Sequence, residues 1–477
     1  MSTDRRKRFG LRGLALVMAL GASACAPALW SADLAHVADA AGRTGELPRV
    51  LDAEIDDATA DREVARLLSQ PLDADAAVRI ALLDNRGLRS RLLELGIARG
   101  RLIDARTPAN PHLEVEVLPE RNSDIEVALE YEITSLLLVP AKTAAARADL
   151  DAARLEAAAE VVGLAQRVRV AFYALQAAHQ QLAIAERTLD AFAAGHDAAV
   201  AMADAGNINA LDRSAQTAAY ERARIVVAQL QLRLADRREK VQTLLGRHGR
   251  SLRWEVVAEL PALEAELPDD SRLEAKAIGK NLDLEATRHR TTAAAKRVDL
   301  ARLQGWMPDV ELDVHALYAA GDDGDPPWGV GGGVALELPV FDRNRGEVIA
   351  RKAELASLAQ RREGTAIEVR SAARRVRNQL ASAHARARHY EEVILPAQRE
   401  VTAQTVLQYN AMDANVFAVL QARRDELDAE LSWVETLREY WTARATYDAL
   451  LAGRAVAADA DAEIPADTAA NRGAQEH

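Results

Sequence analysis

The stretch AVRIALLDNRGLRSRLLELGIARGRLIDAR (77–106) decides the fold, because a second version of it, LEAKAIGKNLDLEATRHRTTAAAKRVDLAR, begins at Leu273. Pro111 and Pro308 follow these two stretches and precede HLEVEV and DVELDV, so each helix is predicted to end before a strand. The two stretches begin roughly 200 residues apart, and solenoid repeats are far shorter than such a period. The duplication therefore predicts two copies of one structural unit.

The duplication continues to the end of each copy. VALEYEI from Val127 echoes VALELPV from Val334, AGNINALD around Gly206 echoes AMDANVFA around Met412, LLG at 244–246 echoes LLAG at 450–453, and Asn85 matches Asn281 near the helix starts. Each copy is predicted to run helix, strand, strand, very long helix, break and helix. The predicted domains are a signal peptide (1–24), an N-terminal segment packing along the helical body (25–75), a first repeat (76–250), a second repeat (251–454) and a disordered tail (455–477).

The long helices carry a seven-residue repeat of apolar side chains, which is typical of a coiled coil. One seam position is filled by Val161, Val168, Leu175, Leu182 and Leu189, and the other by Leu164, Ala171, Ala178, Ala185 and Phe192. A partner seam with Val227 and Val241 follows the break at Gly206. A helix from about Ala141 to Ala205 would approach roughly 100 Å. Such length suits a duct across a wide compartment better than a globular domain.

Four short segments alternate apolar and polar residues with period two, which predicts strands with unlike faces. Their apolar sets begin at Leu113, Ile125, Val310 and Val334. Aromatic residues lie near the strand ends, where membrane girdles are expected: Trp306, Tyr318, Trp328 and Phe341. Four strands are too few to close a barrel, so the chain is predicted to form oligomers, and three copies would give about twelve strands. A half-buried sheet in a soluble α+β protein is the alternative.

The polar faces of these segments are nearly all carboxylate. If they line a pore, eight acids per subunit project inward: Glu114, Glu116, Glu126, Glu130, Glu132, Glu311, Asp313 and Glu337. Such a field concentrates cations and repels anions. The alternative is that the charges only keep a water-filled lumen wet. His315 is interpreted as a lumen side chain, and no metal site or other cofactor is predicted.

The first 25 residues have the order of a secretory signal. Basic residues from Arg5 to Arg12 precede the apolar stretch 14–20, and small residues then lead to Cys25. Cys25 resembles the lipid-attachment residue of bacterial lipoproteins, and an ordinary signal peptide ending near Ala24 is the alternative. Cys25 is the only cysteine, so no disulfide within the chain is predicted. Beyond this segment no run of about 18 apolar residues predicts a mature transmembrane helix.

Composition and motifs argue against several other classes of protein. The net charge of −12, with 72 acidic residues, disfavours nucleic-acid binding. The sequence has no Gly-rich phosphate loop after a strand and no Ser, His and acid arrangement for hydrolysis, so no enzymatic activity is predicted. Asp322-Asp323-Gly324-Asp325 lacks the alternating spacing of a calcium loop and is interpreted as an extracellular hairpin tip.

Helix, hairpin and long helix, given twice behind an export signal, resemble the outer membrane efflux protein family, the TolC-like ducts. The run LPVFDRNRGEVIARKAEL from Leu338 is similar to the strand-to-helix junction of this family. Matches to its heavy-metal, CzcC-like branch are Pro339, Phe341, Asp342, Asn344 and Gly346. The first copy keeps Pro140 but lacks the Phe-Asp pair and the glycine.

The resemblance covers roughly Ala76 to Gly453 and implies an α+β membrane fold. Each chain would contribute long antiparallel coiled-coil helices and two β-hairpins. Three chains would form a twelve-stranded β-barrel in the bacterial outer membrane, continued by an α-helical barrel in the periplasm.

The resemblance also implies partners and a gate. A homotrimer in outer-membrane lipid would dock to a periplasmic adaptor (membrane fusion) protein and to an inner-membrane pump of the resistance-nodulation-division type. Family ducts narrow where the paired helices break, which makes Asp204, Asp212 and Asp413 candidates for a periplasmic gate or cation filter. As turn residues and helix caps these acids also have a structural explanation.

Three functions follow from these features. The sequence favours the outer-membrane channel of a tripartite efflux system, a passive duct for heavy metals or cationic drugs. The same duct could instead secrete proteins or other large molecules. A periplasmic coiled-coil adaptor is the alternative of another class, and two hairpin-bearing copies without a β-rich lipoyl-like segment argue against it.

Overall fold

The computed structural model describes residues 28–42, 57–118, 124–247, 254–268, 271–318 and 328–455. Its helices are α1 (Ala28–Gly42), α2 (Asp57–Leu68), α3 (Ala74–Asp84), α4 (Arg86–Arg106), α5 (Ile133–Asp204), α6 (Ala210–Leu244), α7 (Leu273–Lys280), α8 (Leu282–Gln304), α9 (Arg345–His389), α10 (Leu395–Asn410) and α11 (Val416–Leu451). A π-helical turn, Tyr390–Ile394, joins α9 to α10. The predicted signal peptide, Cys25, the Asp322–Asp325 turn and the tail beyond residue 455 lie outside the described residues.

Helix α5 is the long axis of the protein. Its 72 residues extend over about 108 Å at 1.5 Å per residue, and it packs against α4, α6, α8 and α11. The first part of the predicted seam is buried, since Val161, Val168 and Leu175 are at most 1% exposed, whereas Leu182 and Leu189 are partly buried. The predicted long helix is therefore confirmed, and its supercoiling stays a prediction. None of the described helices combines the length and the apolar character needed to cross a bilayer.

The four strands are β1 (His112–Leu118), β2 (Asp124–Glu132), β3 (Asp309–Tyr318) and β4 (Trp328–Glu337). They form one antiparallel sheet in the order β1-β2-β3-β4. The two predicted hairpins thus join through β2 and β3, which come from different copies of the repeat. In the described part of the chain, β1 and β4 are each paired on one side only. The four predicted strands are confirmed, and the sheet order is a result of the tertiary structure.

The two strand-to-helix junctions differ. Helix α5 begins at Ile133 and contains Pro140, whereas the sequence predicts a start near Ala141. The prediction was wrong because Thr134 fixes the first turn: its hydroxyl donates to the Pro308 carbonyl at 3.1 Å and accepts from the Val310 N–H at 2.7 Å. The helix therefore tolerates the loss of the one backbone hydrogen bond that Pro140 cannot donate. In the second copy residues 338–344 are irregular, and α9 begins only at Arg345.

Asparagines begin the equivalent helices of the two copies. Asn85 and Asn281 cap α4 and α8, where their side chains accept hydrogen bonds from the N–H groups of the third residue along, at 2.9 and 2.8 Å. Asn209 and Asn415 cap α6 and α11 in the same way, at 2.9 Å each. Such a cap satisfies one of the free N–H groups in the first turn of a helix. The matched asparagines in the sequence therefore have matched roles.

Each copy ends on a glycine that packs against the first helix break of the same copy. Gly246 (φ +75°) follows α6, and Gly453 (φ +91°) follows α11. A Cβ at Gly246 would lie 2.5 Å from the carbonyl oxygen of Asp84, and one at Gly453 would lie 2.5 Å from that of Lys280. The left-handed backbone and the lack of space both exclude a side chain, so glycine ends each copy.

Candidate functional site

The sheet presents its carboxylates on one face. Glu116 lies directly opposite Glu126, Glu130 opposite Asp313, and Glu132 opposite Glu311. Because side chains directly across an antiparallel pair point to the same side, the register brings together all eight acids predicted from the sequence: Glu114, Glu116, Glu126, Glu130, Glu132, Glu311, Asp313 and Glu337. The strands carry no lysine or arginine to balance these charges.

Asp309 is a further acid on this face that sequence reasoning missed. It lies directly opposite Glu337 and has the same parity along β3 as Glu311 and Asp313. The alternation that identified the two later acids includes Asp309 as well.

Six of the predicted acids surround a hollow of about 280 Å³ on this face. The lining is Glu114, Glu116, Glu126, Glu130, Glu311 and Asp313, together with Ala128, His315 and Ala335. His315 Nδ1 lies 3.1 Å from Asp313 Oδ2. Glu132 and Glu337 share the face and lie outside this hollow. Within the described ranges, no three His, Cys, Asp or Glu side chains lie close enough together to hold a metal ion.

The glycine run of β4 makes room for two of these side chains. A Cβ at Gly331 would collide with the His315 ring, and a Cβ at Gly333 would collide with the Asp313 carboxylate. Gly331 and Gly333 lie opposite His315 and Asp313 in the register. The weak alternation of β4 in the sequence therefore has a steric reason, since larger residues would displace the polar side chains of β3.

The opposite face of the sheet is apolar and exposed. Its side chains with more than a third of their surface free include Leu113, Val115, Val117, Ile125, Leu129, Leu312, Val314, Val330, Val334 and Leu336. At the far end of this face the rings of Tyr318 and Trp328 lie 5.0 Å apart. An exposed apolar face of this extent marks an interaction surface.

The helix-break acids lie in two separate turns. Asp204 ends α5 and lies 3.9 Å from the Arg213 guanidinium across the turn, with both side chains at least half exposed. Asp212 lies in the first turn of α6, where its N–H donates to Asn209. Asp413 lies in the other turn, and its N–H donates to the Gln408 carbonyl at 2.8 Å. None of the described hydrogen bonds or ion pairs joins Asp413 to the two acids of the first turn.

The second break contains a strained methionine that sequence reasoning missed. Met412 has φ +62° and occupies the place of Gly206, which has φ +72°. Its side chain is 94% exposed. A left-handed conformation costs a residue with a Cβ about 1 kcal/mol. Aligning AGN with AMD would have identified Met412, because it stands where the first copy has a glycine in the left-handed conformation.

The arrangement of helices and strands matches a known family of proteins. The family model described as "Outer membrane efflux protein" matches residues 120–247 and 273–453, which is more than half of the chain. This chain belongs to the outer membrane efflux protein family. The resemblance noted in the sequence, including that to the CzcC-like branch, is confirmed.

Relatives in this family are similar over most of their length. The cobalt-zinc-cadmium resistance protein CzcC of Cupriavidus metallidurans is 25% identical over 398 residues, 80% of this chain and 90% of the relative. The outer membrane protein OprJ of Pseudomonas aeruginosa is 24% identical over 462 residues, 90% of this chain and 93% of the relative. The outer membrane protein VceC of Vibrio cholerae has the same fold, with a TM-score of 0.64 at 18% identity, over 84% of this chain and 100% of the other.

Proposed function

We propose that this chain is the outer-membrane channel subunit of a tripartite efflux system, a passive duct for cations that an inner-membrane pump drives. The acidic face of the sheet carries this proposal. At least nine carboxylates share that face, and the strands contain no lysine or arginine. In a water-filled passage with low-dielectric walls, the electric field of these carboxylates raises the local concentration of cations and lowers that of anions.

The two unlike faces of the sheet support its placement in a membrane. An apolar outer face and a charged inner face are the pattern of a membrane β-barrel. The single-sided pairing of β1 and β4 supports oligomerisation, because open edges leave backbone groups unsatisfied in lipid. A homotrimer would close a barrel of about twelve strands and continue into the periplasm as a helical tunnel. Such a trimer would dock to a periplasmic adaptor and a pump of the resistance-nodulation-division type.

Lipid anchoring and the gate belong to the same proposal. A lipid on Cys25 would fix the chain at the outer membrane. Asp204, Asp212 and Asp413 would form acidic rings at the periplasmic end of a trimer, where each acid occurs three times. Their exposure in the single chain supports this reading, because it leaves the carboxylates free to face a shared passage.

The cargo proposal is a heavy-metal cation or a cationic drug. The name of CzcC, a cobalt-zinc-cadmium resistance protein, favours metals among these. A strain lacking the gene is expected to lose tolerance to at least one of zinc, cobalt, cadmium and copper, and the wild-type gene should restore it. Unchanged tolerance to all four would contradict the metal proposal and leave cationic drugs or the secretion duct.

Ion selectivity tests the acidic passage directly. We expect the triple variant Glu126→Gln, Glu130→Gln, Glu132→Gln to lower the cation-over-anion permeability ratio in planar bilayers by roughly twofold or more. The loss should be largest at low salt, where screening is weakest. The matched control is Glu63→Gln, Glu221→Gln, Glu285→Gln, which removes the same charge from exposed helix pairs with arginine. Equal ratios for both triple variants and the wild type would show that the sheet acids do not face the ion path.

A further inference from the structure

The junction between β4 and α9 is held rigidly while its aromatic side chain is free. The Asn344 N–H donates to Asp342 Oδ1 at 2.8 Å, and Asn344 Nδ2 donates to the Ala301 carbonyl at 3.0 Å. Gly305 packs so closely on the Arg343 carbonyl that a Cβ would collide with it. Residues 338–345 therefore pack as one unit against residues 302–306, which are the end of α8 and the turn after it; the two segments together are called here the junction wedge.

The junction wedge exposes two large aromatic rings. Phe341 is 100% exposed and Trp306 is 79% exposed. Asp342 and Asn344 form the turn and anchor it to α8, so contacts within the chain explain them. No contact within the described chain explains Phe341. A fully exposed phenylalanine on an immobilised turn indicates that something outside the subunit covers it.

The apolar face of the sheet continues into the junction wedge. Val334 and Leu336 are 60% and 57% exposed on the apolar side of β4, and Leu338 and Val340 continue the alternation at 65% and 59%. The apolar face, which the proposed function places among lipid acyl chains, therefore continues past the end of β4. The first copy has no such extension, because β2 passes directly into α5 at Ile133.

The charged residues of the chain change sign between the strands and the junction wedge. The strands carry carboxylates and no lysine or arginine, whereas the junction wedge carries Arg302, Arg343 and Arg345 beside a single acid, Asp342. Arg343 and Arg345 are exposed, and the Asp342 carboxylate between them accepts the Asn344 N–H. Exposed aromatic rings beside arginines are the composition of a protein surface at lipid headgroups.

We propose that the junction wedge seats in the periplasmic leaflet of the outer membrane and binds anionic phospholipid. Trp306 and Phe341 lie among the glycerol and upper acyl-chain groups, and Arg343 and Arg345 contact headgroup phosphates. This inference rests on the proposed function, because it needs the sheet in the membrane. It adds a lipid-binding surface of defined chemistry at the base of the sheet.

Contact quenching of tryptophan by brominated lipid tests the location. The full chain is reconstituted in vesicles of phosphatidylethanolamine and phosphatidylglycerol with bromine near the carbonyl end of the chains. We expect Trp306→Phe and Trp328→Phe each to remove part of the quenched emission. If only Trp328→Phe removes quenched emission, the junction wedge proposal is overturned, because another subunit or water would then cover Trp306. Loss with neither variant would overturn the membrane placement of the sheet, and the proposed function with it.

Lipid selectivity tests the chemistry. The Trp306 signal, taken as wild type minus Trp306→Phe, should be about two- to fivefold larger with brominated phosphatidylglycerol than with brominated phosphatidylethanolamine. The double variant Arg343→Gln, Arg345→Gln should bring the two lipids close to equal. The control Arg361→Gln, Arg362→Gln removes two exposed arginines farther along α9 and should leave the preference intact. Equal quenching by the two lipids in the wild type would overturn the proposal.

Discussion

Asp33 determines how the N-terminal helix is held to the body. Its side chain is fully buried and binds two arginines, Arg99 of α4 at 2.6 and 2.7 Å and Arg154 of α5 at 2.6 and 2.9 Å. Burial raises the pKa of Asp33, but the hydrogen bonds and charges of the two arginines outweigh it, so the net pKa is lowered. One carboxylate thus joins three helices.

We expect Asp33→Asn to release α1. The variant leaves two guanidinium groups without their carboxylate, at a cost of about 2 to 3 kcal/mol, since both arginines keep some contact with water. Amide hydrogen exchange in residues 28–42 should accelerate by roughly 30-fold or more. The control Glu63→Gln breaks an exposed pair with Arg66 and should change nothing measurable. Unchanged exchange in α1 would mean that apolar contacts alone hold it.

The same residue predicts a dependence on pH. Because the folded-state pKa of Asp33 lies below its ordinary value of 3.8, its stabilisation is complete above that value and is lost as the pH falls through the lowered folded-state pKa. Exchange protection of α1 in the wild type should therefore be constant near neutral pH and fall in acid. The Asp33→Asn variant should show no such step.

At the scale of elements, the two long helical runs differ although their sequences are related. The first copy has the uninterrupted α5, and the second has α9, a π-helical turn and α10. The last π-type bond joins the Leu395 N–H to the Tyr390 carbonyl, and Pro396 follows at once. A proline inside an α-helix lacks one donor and collides with the carbonyl four residues before it. The wider turn therefore accommodates Pro396 within a continuous run.

A deletion tests the role of this turn. Removing Val393, which is half exposed, should convert the π-helical turn to α-helix and force Pro396 into regular geometry at a cost of about 3 kcal/mol. The thermal midpoint of the purified protein, followed by circular dichroism, should fall. Adding Pro396→Ala should recover most of the loss. The control is a deletion of Val401, which rotates the rest of α10. Adding Pro396→Ala to this control should not raise its thermal midpoint. A rise in the control, or no rise in the Val393 deletion, would contradict the role of the turn.

At the scale of the whole molecule, the sheet is complete on its faces and incomplete at its edges. Residues from the two copies meet at the β2–β3 pair, which makes one four-stranded unit, while β1 and β4 have single partners within the described ranges. Unpaired backbone groups at the edges are stable in lipid only when another subunit pairs with them, and a wide apolar face is stable only where another subunit or the bilayer covers it.

We therefore expect a trimer that depends on detergent. Chemical cross-linking of the purified full chain should trap a species of three 51.7 kDa subunits, and heating before electrophoresis should convert uncross-linked trimer to monomer. A periplasmic adaptor would leave the membrane fraction without detergent. Extraction of this protein by salt alone would therefore argue for that other class and against the barrel.

The sequence by itself determined the features that depend on near neighbours along the chain. An asparagine cap needs an N–H three residues away, a seam needs a seven-residue period, and a strand face needs alternation. The caps Asn85 and Asn281, the buried part of the α5 seam and eight of the acids on the sheet were therefore readable from the order of residues. Glycine at the end of each copy was readable for the same reason, as the stop after a helical pattern.

The tertiary structure decided what depends on residues far apart in the chain. The pairing of β2 with β3, the start of α5 at Ile133 and the burial of Asp33 each join segments separated by at least 60 residues. The space that Gly331 leaves for His315 is likewise set by the register. Such contacts follow from packing and from the satisfaction of buried polar groups, and a local pattern does not specify them. The sequence thus determined the chemical character of each strand, and long-range packing assembled the strands into one acidic face.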